Sequence, residues 1–257
     1  MTSDSLKLPS GLTLAVTRAG NHGPTLLLIH GWTCRRSDWQ PAIETLQEHF
    51  RVIAIDLPGH GESRGQPLTT WNVEALASVA AEAVRALEEP GAILVGHSMG
   101  GAVALEAARQ LSSVRGVVLV DTFVIPYGDL TEDQAREIAQ PFYDDFPSAI
   151  DGLVENFTAS NVAAEEKTRM KAEMADVNPG HMLPLWSDLL RWNPAEAFAE
   201  ITAPIHAING DLVPDAARAR CKGHVTEHRL DGAGHFPQVE MPARFHELLQ
   251  KTLEKMG

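Results

Sequence analysis

The chain has 257 residues, 44% hydrophobic and 21% charged, which is enough to bury a sizeable core and too apolar for a disordered segment. Its formal net charge of −13 argues against a nucleic-acid partner, which needs clustered Lys and Arg against phosphate, and favours small uncharged substrates. No run approaches the roughly 20 apolar residues that span a bilayer, and residues 1–14 (MTSDSLKLPSGLTL) lack the pattern of a secretory signal, so membrane insertion is not expected and cytoplasm is the default compartment.

In chain order, residues 25–30 (TLLLIH) and 51–56 (RVIAID) are short apolar runs ending in polar residues, the pattern of strands buried on both faces of a parallel sheet. Residues 92–95 (AILV), 116–120 (GVVLV) and 205–208 (IHAI) repeat it. Between them, residues 73–87 and 102–111 are rich in Ala, Leu and Glu and predict helices. Residues 225–230 predict a last strand and 243–255 a closing helix. Strand alternating with helix implies an α/β fold, a doubly wound and mostly parallel sheet with helices on both faces.

The alternation breaks between residues 123 and 200, where three helical stretches, QAREIAQPFYDDF, AEEKTRMKAEMA and LPLWSDLLRW, follow one another without a strand. This predicts a helical cap inserted at 123–200 into a core built from 1–122 and 201–257. Phe142, Tyr143, Phe157, Met182, Trp186 and Trp192 are its candidates for lining a pocket, with packing inside the cap as the alternative role for each.

Directly after the run AILV comes Gly96-His97-Ser98-Met99-Gly100-Gly101, then the Ala-rich helix. A G-x-S-x-G motif in strand-turn-helix context places a serine on a sharp turn where small neighbours let adjacent chains pass close by. Ser98 is therefore the candidate nucleophile. The first N–H groups of the following helix point at the place where an oxyanion would form, and Met99 would supply one of them.

Four segments, HGW at 30–32, DLPGHGES at 56–63, GHSMGG at 96–101 and GAGHFPQVEMP at 232–242, stand in an order that resembles the α/β-hydrolase family, and they span nearly the whole chain outside the predicted cap. The resemblance implies an α/β-hydrolase fold and a serine esterase of the carboxylesterase type. Of eleven histidines, it points to His235 as the base, on a flexible loop after the last strand. His97 adjoins the serine but is not expected to reach it; His30 and His60 are expected to make structural hydrogen bonds, and His224 and His228 to lie exposed on an edge strand. The second oxyanion donor implied is the Trp32 backbone N–H.

The acid is less uniform. The family's usual position follows the strand at 205–208, where Asn209-Gly210-Asp211-Leu212-Val213-Pro214 departs from the usual spacing. Some relatives carry the acid one strand earlier, where Asp121 ends GVVLV. Asp121 is preferred, with Asp211 as the alternative; both keep the order nucleophile, acid, histidine.

No cofactor is implied. Residues 59–64 begin like a dinucleotide fingerprint but end on Arg64 without a helix, and neither a P-loop nor an H-E-x-x-H zinc motif occurs. Two cysteines, Cys34 and Cys221, are too few for a disulfide scaffold; Cys34, near the HGW loop, is a minor candidate for a reactive thiol. Serine at the turn disfavours dehalogenase and epoxide-hydrolase chemistry. Carbon–carbon hydrolysis, lactone, thioester and perhydrolase reactions remain open on the same residues, as does a non-catalytic receptor of the same fold.

Overall fold

The computed structural model describes residues 1–88 and 91–256. Eight strands, β1 (Thr2–Lys7), β2 (Thr13–Ala19), β3 (Thr25–Ile29), β4 (Arg51–Ile55), β5 (Ile93–His97), β6 (Gly116–Val120), β7 (Ile205–Asn209) and β8 (Thr226–Arg229), form one sheet. They run in the order β1-β2-β4-β3-β5-β6-β7-β8. Pairing is parallel from β4 through β8 and antiparallel for β1 with β2 and β2 with β4.

The helices are α1 (Gln40–Leu46), α2 (Val73–Ala86), α3 (Met99–Arg109), α4 (Glu132–Asp144), α5 (Phe146–Phe157), α6 (Ala164–Ala175), α7 (Pro179–Arg191), α8 (Ala195–Glu200), α9 (Asp215–Cys221), α10 (Pro237–Glu240) and α11 (Pro242–Glu254). Because successive strand residues face opposite sides, every second residue of β3 enters a different core. Leu27 and Ile29 join the cluster covered by α2 and α3, whereas Leu26 and Leu28 join the cluster covered by α1 and α11. Fully burying each such side chain contributes about 1.5–3 kcal/mol. Helices on both faces of a mostly parallel sheet are the doubly wound α/β fold that the alternation predicts.

The β1–β2 pair went unread in the sequence. β1 is an edge strand that buries only Leu6 of its six residues, so it carries almost no apolar signal. α5 also went unread, because FPSAIDGLVENF has a proline as its second residue and carries a glycine. Proline is harmless at the start of a helix, where its missing N–H is not needed, and Asp145 caps this one by accepting a hydrogen bond from the Ser148 N–H at 3.2 Å. Helices α4–α8 all lie between β6 and β7. Among the described residues no helix is long and apolar enough to cross a membrane.

Candidate active site

The C-terminal ends of β3, β5 and β6 meet around Ser98, and that of β7 lies beside Asp121. In open α/β sheets ligands bind at this end, where loops leave the strands in different directions. Ser98 has φ 52° and ψ −121°, a left-handed conformation that costs a non-glycine residue roughly 1–3 kcal/mol unless its surroundings hold it. Its N–H donates to the Val120 carbonyl at 2.9 Å and its carbonyl accepts from the Gly101 N–H at 2.9 Å. The turn is so tight that a Cβ on Gly96 would lie 2.1 Å from the Gly100 carbonyl oxygen, and one on Gly100 would lie 2.3 Å from that of Ile29.

The Ser98 hydroxyl donates to His235 Nε2 at 3.0 Å, and the His235 Nδ1–H donates to Asp121 Oδ2 at 2.7 Å. All three side chains are buried. Asp121 adopts a left-handed backbone, φ 48° and ψ 39°, directly after β6, and its second oxygen accepts from the Gly210 N–H at 2.9 Å. Asp211, by contrast, is half-exposed and lies in an ion pair with Arg229 at 3.6 Å. Its carboxylate accepts from the Gly232 N–H and its own N–H donates to the Ala233 carbonyl, both at 2.9 Å. Of the two candidate acids, Asp121 touches the histidine ring, while Asp211 fastens the loop on which that histidine sits.

Met99 opens α3, so its N–H has no acceptor within the helix. The Trp32 N–H belongs to the Gly31–Trp32 peptide, whose plane is held through its carbonyl: Gly31 O accepts from His30 Nδ1–H at 2.8 Å and from the Cys34 N–H at 3.2 Å. His30 Nε2 in turn accepts from the Leu57 N–H at 3.0 Å, so this ring ties the end of β4 to the Trp32 loop. His60 Nδ1–H donates to the Pro58 carbonyl at 2.9 Å. Burial lowers both rings, His30 to about 4 and His60 to about 3, which leaves them neutral at pH 7.

His97 turns away from Ser98 and donates its Nε2–H to the carbonyl of His235 at 2.7 Å. Burial, then the neighbouring His235, lowers it to about 3. Sequence reasoning had no role for it, and only the chain crossing of two distant loops supplies one. A second missed residue is Glu240. Its carboxylate accepts from the Phe236 N–H at 3.0 Å and from the Gly234 N–H, so both neighbours of His235 are bonded to it.

Ser98 and His235 open onto a cavity of about 610 Å³ walled by apolar side chains, among them Trp32, Phe142, Leu153, Phe157 and Trp186. Trp32 stacks on Trp186 at 4.7 Å and meets Phe142 edge-on at 5.1 Å. Phe142, Phe157 and Trp186 thus line the space, as expected for three of the six predicted residues. The others do not: Tyr143 is exposed, Met182 is buried and accepts the Trp32 indole N–H at 3.1 Å, and Trp192 donates to Glu106 at 2.8 Å. Asp144 and Asp145 are the acidic lining residues, and among the described residues neither Lys nor Arg lines the space. Cys34 also borders it, but burial pushes its thiol well above the usual range, against the activated thiolate that reactivity requires. His228 accepts or donates across to His206 at 3.0 Å, and His224 is exposed and stacks on Phe198, both remote from this cavity. Among the described residues no cluster of three or more His, Cys, Asp or Glu could hold a metal ion.

Residues 26–248 match the family model described as the alpha/beta hydrolase family. The pimeloyl-[acyl-carrier protein] methyl ester esterase of Xanthomonas oryzae pv. oryzae is 29% identical over 246 residues, covering 90% of this chain and 95% of the relative. The protein of the same name from Methylococcus capsulatus is 31% identical over 249 residues with the same coverage. The crystal structure of a bromoperoxidase from Bacillus anthracis superposes with a TM-score of 0.87 at 20% identity, covering 98% of this chain and all of that one, a likeness of fold. The eight-stranded sheet, the strained serine turn after β5 and the match over most of its length agree: the chain belongs to the alpha/beta hydrolase family.

Proposed function

We propose that the protein is a serine esterase that hydrolyses carboxylic esters through an acyl-enzyme on Ser98. The observation that carries this reading is the hydrogen-bonded line from Ser98 through His235 to Asp121 at the floor of an apolar cavity. Ser98 Oγ attacks the ester carbonyl as His235 Nε2 takes its proton. The developing oxyanion is received by the N–H groups of Trp32 and Met99, a pair worth several kcal/mol of barrier lowering in sites of this kind. The tetrahedral intermediate collapses, His235 returns the proton to the departing alkoxide, and the alcohol leaves. Water then adds to the acyl-serine with His235 as base, releasing the acid and restoring Ser98. Asp121 keeps the proton on Nδ1 and steadies the imidazolium formed at each step. Segment 123–200 acts as the cap over a core of 1–122 and 201–257, and supplies the acyl wall through Phe142, Phe157 and Trp186.

The curated relatives are named for a methyl ester of a carrier-bound acyl chain, which supports an ester with a small alcohol and an extended acyl group. Asp144 and Asp145 in the lining favour a neutral, free ester over an anionic one, since like charges along the wall oppose binding. The test is labelling with a fluorophosphonate together with turnover of p-nitrophenyl esters of graded acyl length. Labelling of Ser98 and its loss in S98A support the reading; a folded protein that neither labels at Ser98 nor turns over any ester overturns it.

A further inference from the structure

The backbone around His235 is held from three directions. The His235 N–H donates to the Phe157 carbonyl at 2.7 Å, at the end of α5, and its own carbonyl accepts from His97. The third hold is Glu240. Its half-buried carboxylate accepts from the Gly234 N–H before His235 and from the Phe236 N–H after it, and it faces the Ala159 N–H just beyond α5. The fit is close: a Cβ on Gly234 would lie 2.6 Å from the Phe157 carbonyl oxygen, 2.9 Å from the Ala159 nitrogen and 2.9 Å from Glu240 Oε1. A carboxylate is an acceptor at both oxygens, so it can take N–H groups from both strands of this junction at once; an amide of the same shape offers one acceptor and places an NH2 against an N–H.

We propose that Glu240 is a positioning residue that sets the His235 imidazole against Ser98 by clasping the histidine loop to the end of α5. The proposal rests on the esterase reading above. Glu240 touches neither substrate nor the reacting atoms; it acts through His235. Its contribution falls on kcat, because a displaced base impairs proton transfer in the chemical step while the apolar wall that binds the acyl chain is untouched.

The test is steady-state hydrolysis of p-nitrophenyl butyrate by wild type, E240Q, H235A and the double variant, with circular dichroism and thermal melting on each. E240Q is expected to lower kcat by about 10- to 100-fold with KM within about twofold, the scale of an ångström-level misplacement. In the H235A background the same substitution is expected to change residual turnover by less than about twofold, because non-additivity marks residues that act as one unit. Full kcat in folded E240Q, a loss confined to KM, or an equal loss with and without His235 each overturns the proposal. If E240Q does not fold, Glu240→Asp, which keeps the charge but is one methylene too short to span the junction, is read by the same criteria. A wild type without esterase activity defeats the underlying reading instead; an active wild type whose turnover depends on His235 leaves Glu240 alone on trial.

Discussion

Asp121 and His235 stand 114 residues apart in the chain and 2.7 Å apart in space. That contact needs the left-handed turn at Asp121, which swings its carboxylate off the end of β6 and under the imidazole, and the Gly210 N–H, which occupies the other oxygen. Asp211 answers to a different pair of partners, Gly232 and Arg229. Asp121→Asn is therefore expected to lower kcat by about 10³- to 10⁴-fold, since an amide favours the wrong tautomer of the histidine. Asp211→Asn is expected to keep kcat within about threefold, its loss being one partly solvent-screened hydrogen bond. Steady-state kinetics on one p-nitrophenyl ester checks both; the reverse order would transfer the role to Asp211.

The glycines of the serine turn have no room for a side chain, whereas Gly65 has open space around it. A methyl group at Gly96 would meet backbone atoms 2.1 to 2.5 Å away, none of which can yield without breaking the turn. Gly96→Ala is expected to cost more than about 3 kcal/mol or to prevent folding. Gly65→Ala, with nothing within 4 Å, is expected to stay within about 0.5 kcal/mol of wild type. Denaturant unfolding of the two variants side by side measures the difference.

Gly152 lines the cavity from α5 and has open space where a side chain would start. Gly152→Leu should fill part of the acyl path, cutting kcat/KM for a p-nitrophenyl octanoate by about tenfold or more while leaving the acetate within about twofold, because only the longer chain needs that volume. Equal effects on both esters would show that the acyl chain runs elsewhere.

The lining carboxylates Asp144 and Asp145 predict a charge preference. The neutral dimethyl ester of a dicarboxylic acid is expected to exceed its anionic monomethyl ester in kcat/KM by about fivefold or more at low salt, the scale of about 1 kcal/mol of like-charge repulsion near a surface. The combined Asp144→Asn and Asp145→Asn variant should narrow the ratio, as should 0.5 M salt. A monoester preferred by the wild type would place the carboxylate of the acid in a more favourable field than these residues allow.

Acid should destabilise the fold through its buried imidazoles. His30, His60 and His97 lie near 6.5 when free and are lowered to about 4, 3 and 3 by burial, so between pH 6.5 and 4 the unfolded chain binds protons that the folded chain excludes. Stability is unaffected by them above pH 6.5 and falls as the pH drops through that window, by up to about 1.4 kcal/mol per pH unit for each ring. Asp38 has the opposite sign: burial raises it from 3.8 to about 6, so over that interval the folded chain holds the extra proton and offsets part of the loss. Urea unfolding at half-unit steps from pH 7 to 4.5 should show a falling free energy; a level line would contradict neutral burial of the three rings.

These residues also mark where the sequence is legible. β3 reads as a buried strand because all five of its residues are apolar or nearly so and both faces are covered, whereas β1 reads as nothing because only Leu6 is inside. Ser98 stands out because its turn demands small neighbours that are contiguous in the chain. Asp121 does not, since two strand ends offer a carboxylate in the right order and only the backbone dihedral after β6 separates them. His97 and Glu240 are opaque for a related reason: each acts on the His235 loop through a backbone N–H or carbonyl, and such contacts leave no mark on residue type at the receiving end.

The bond from the His235 N–H to the Phe157 carbonyl has a practical consequence for recombination within the family. A foreign segment spliced between β6 and β7 brings its own pocket, but it must also return a carbonyl oxygen and, two residues on, an N–H to the places now held by Phe157 and Ala159. Chimeras that match only the splice points at the strand ends would lose this hold on the His235 loop; the crossover has to be chosen around this interior seam.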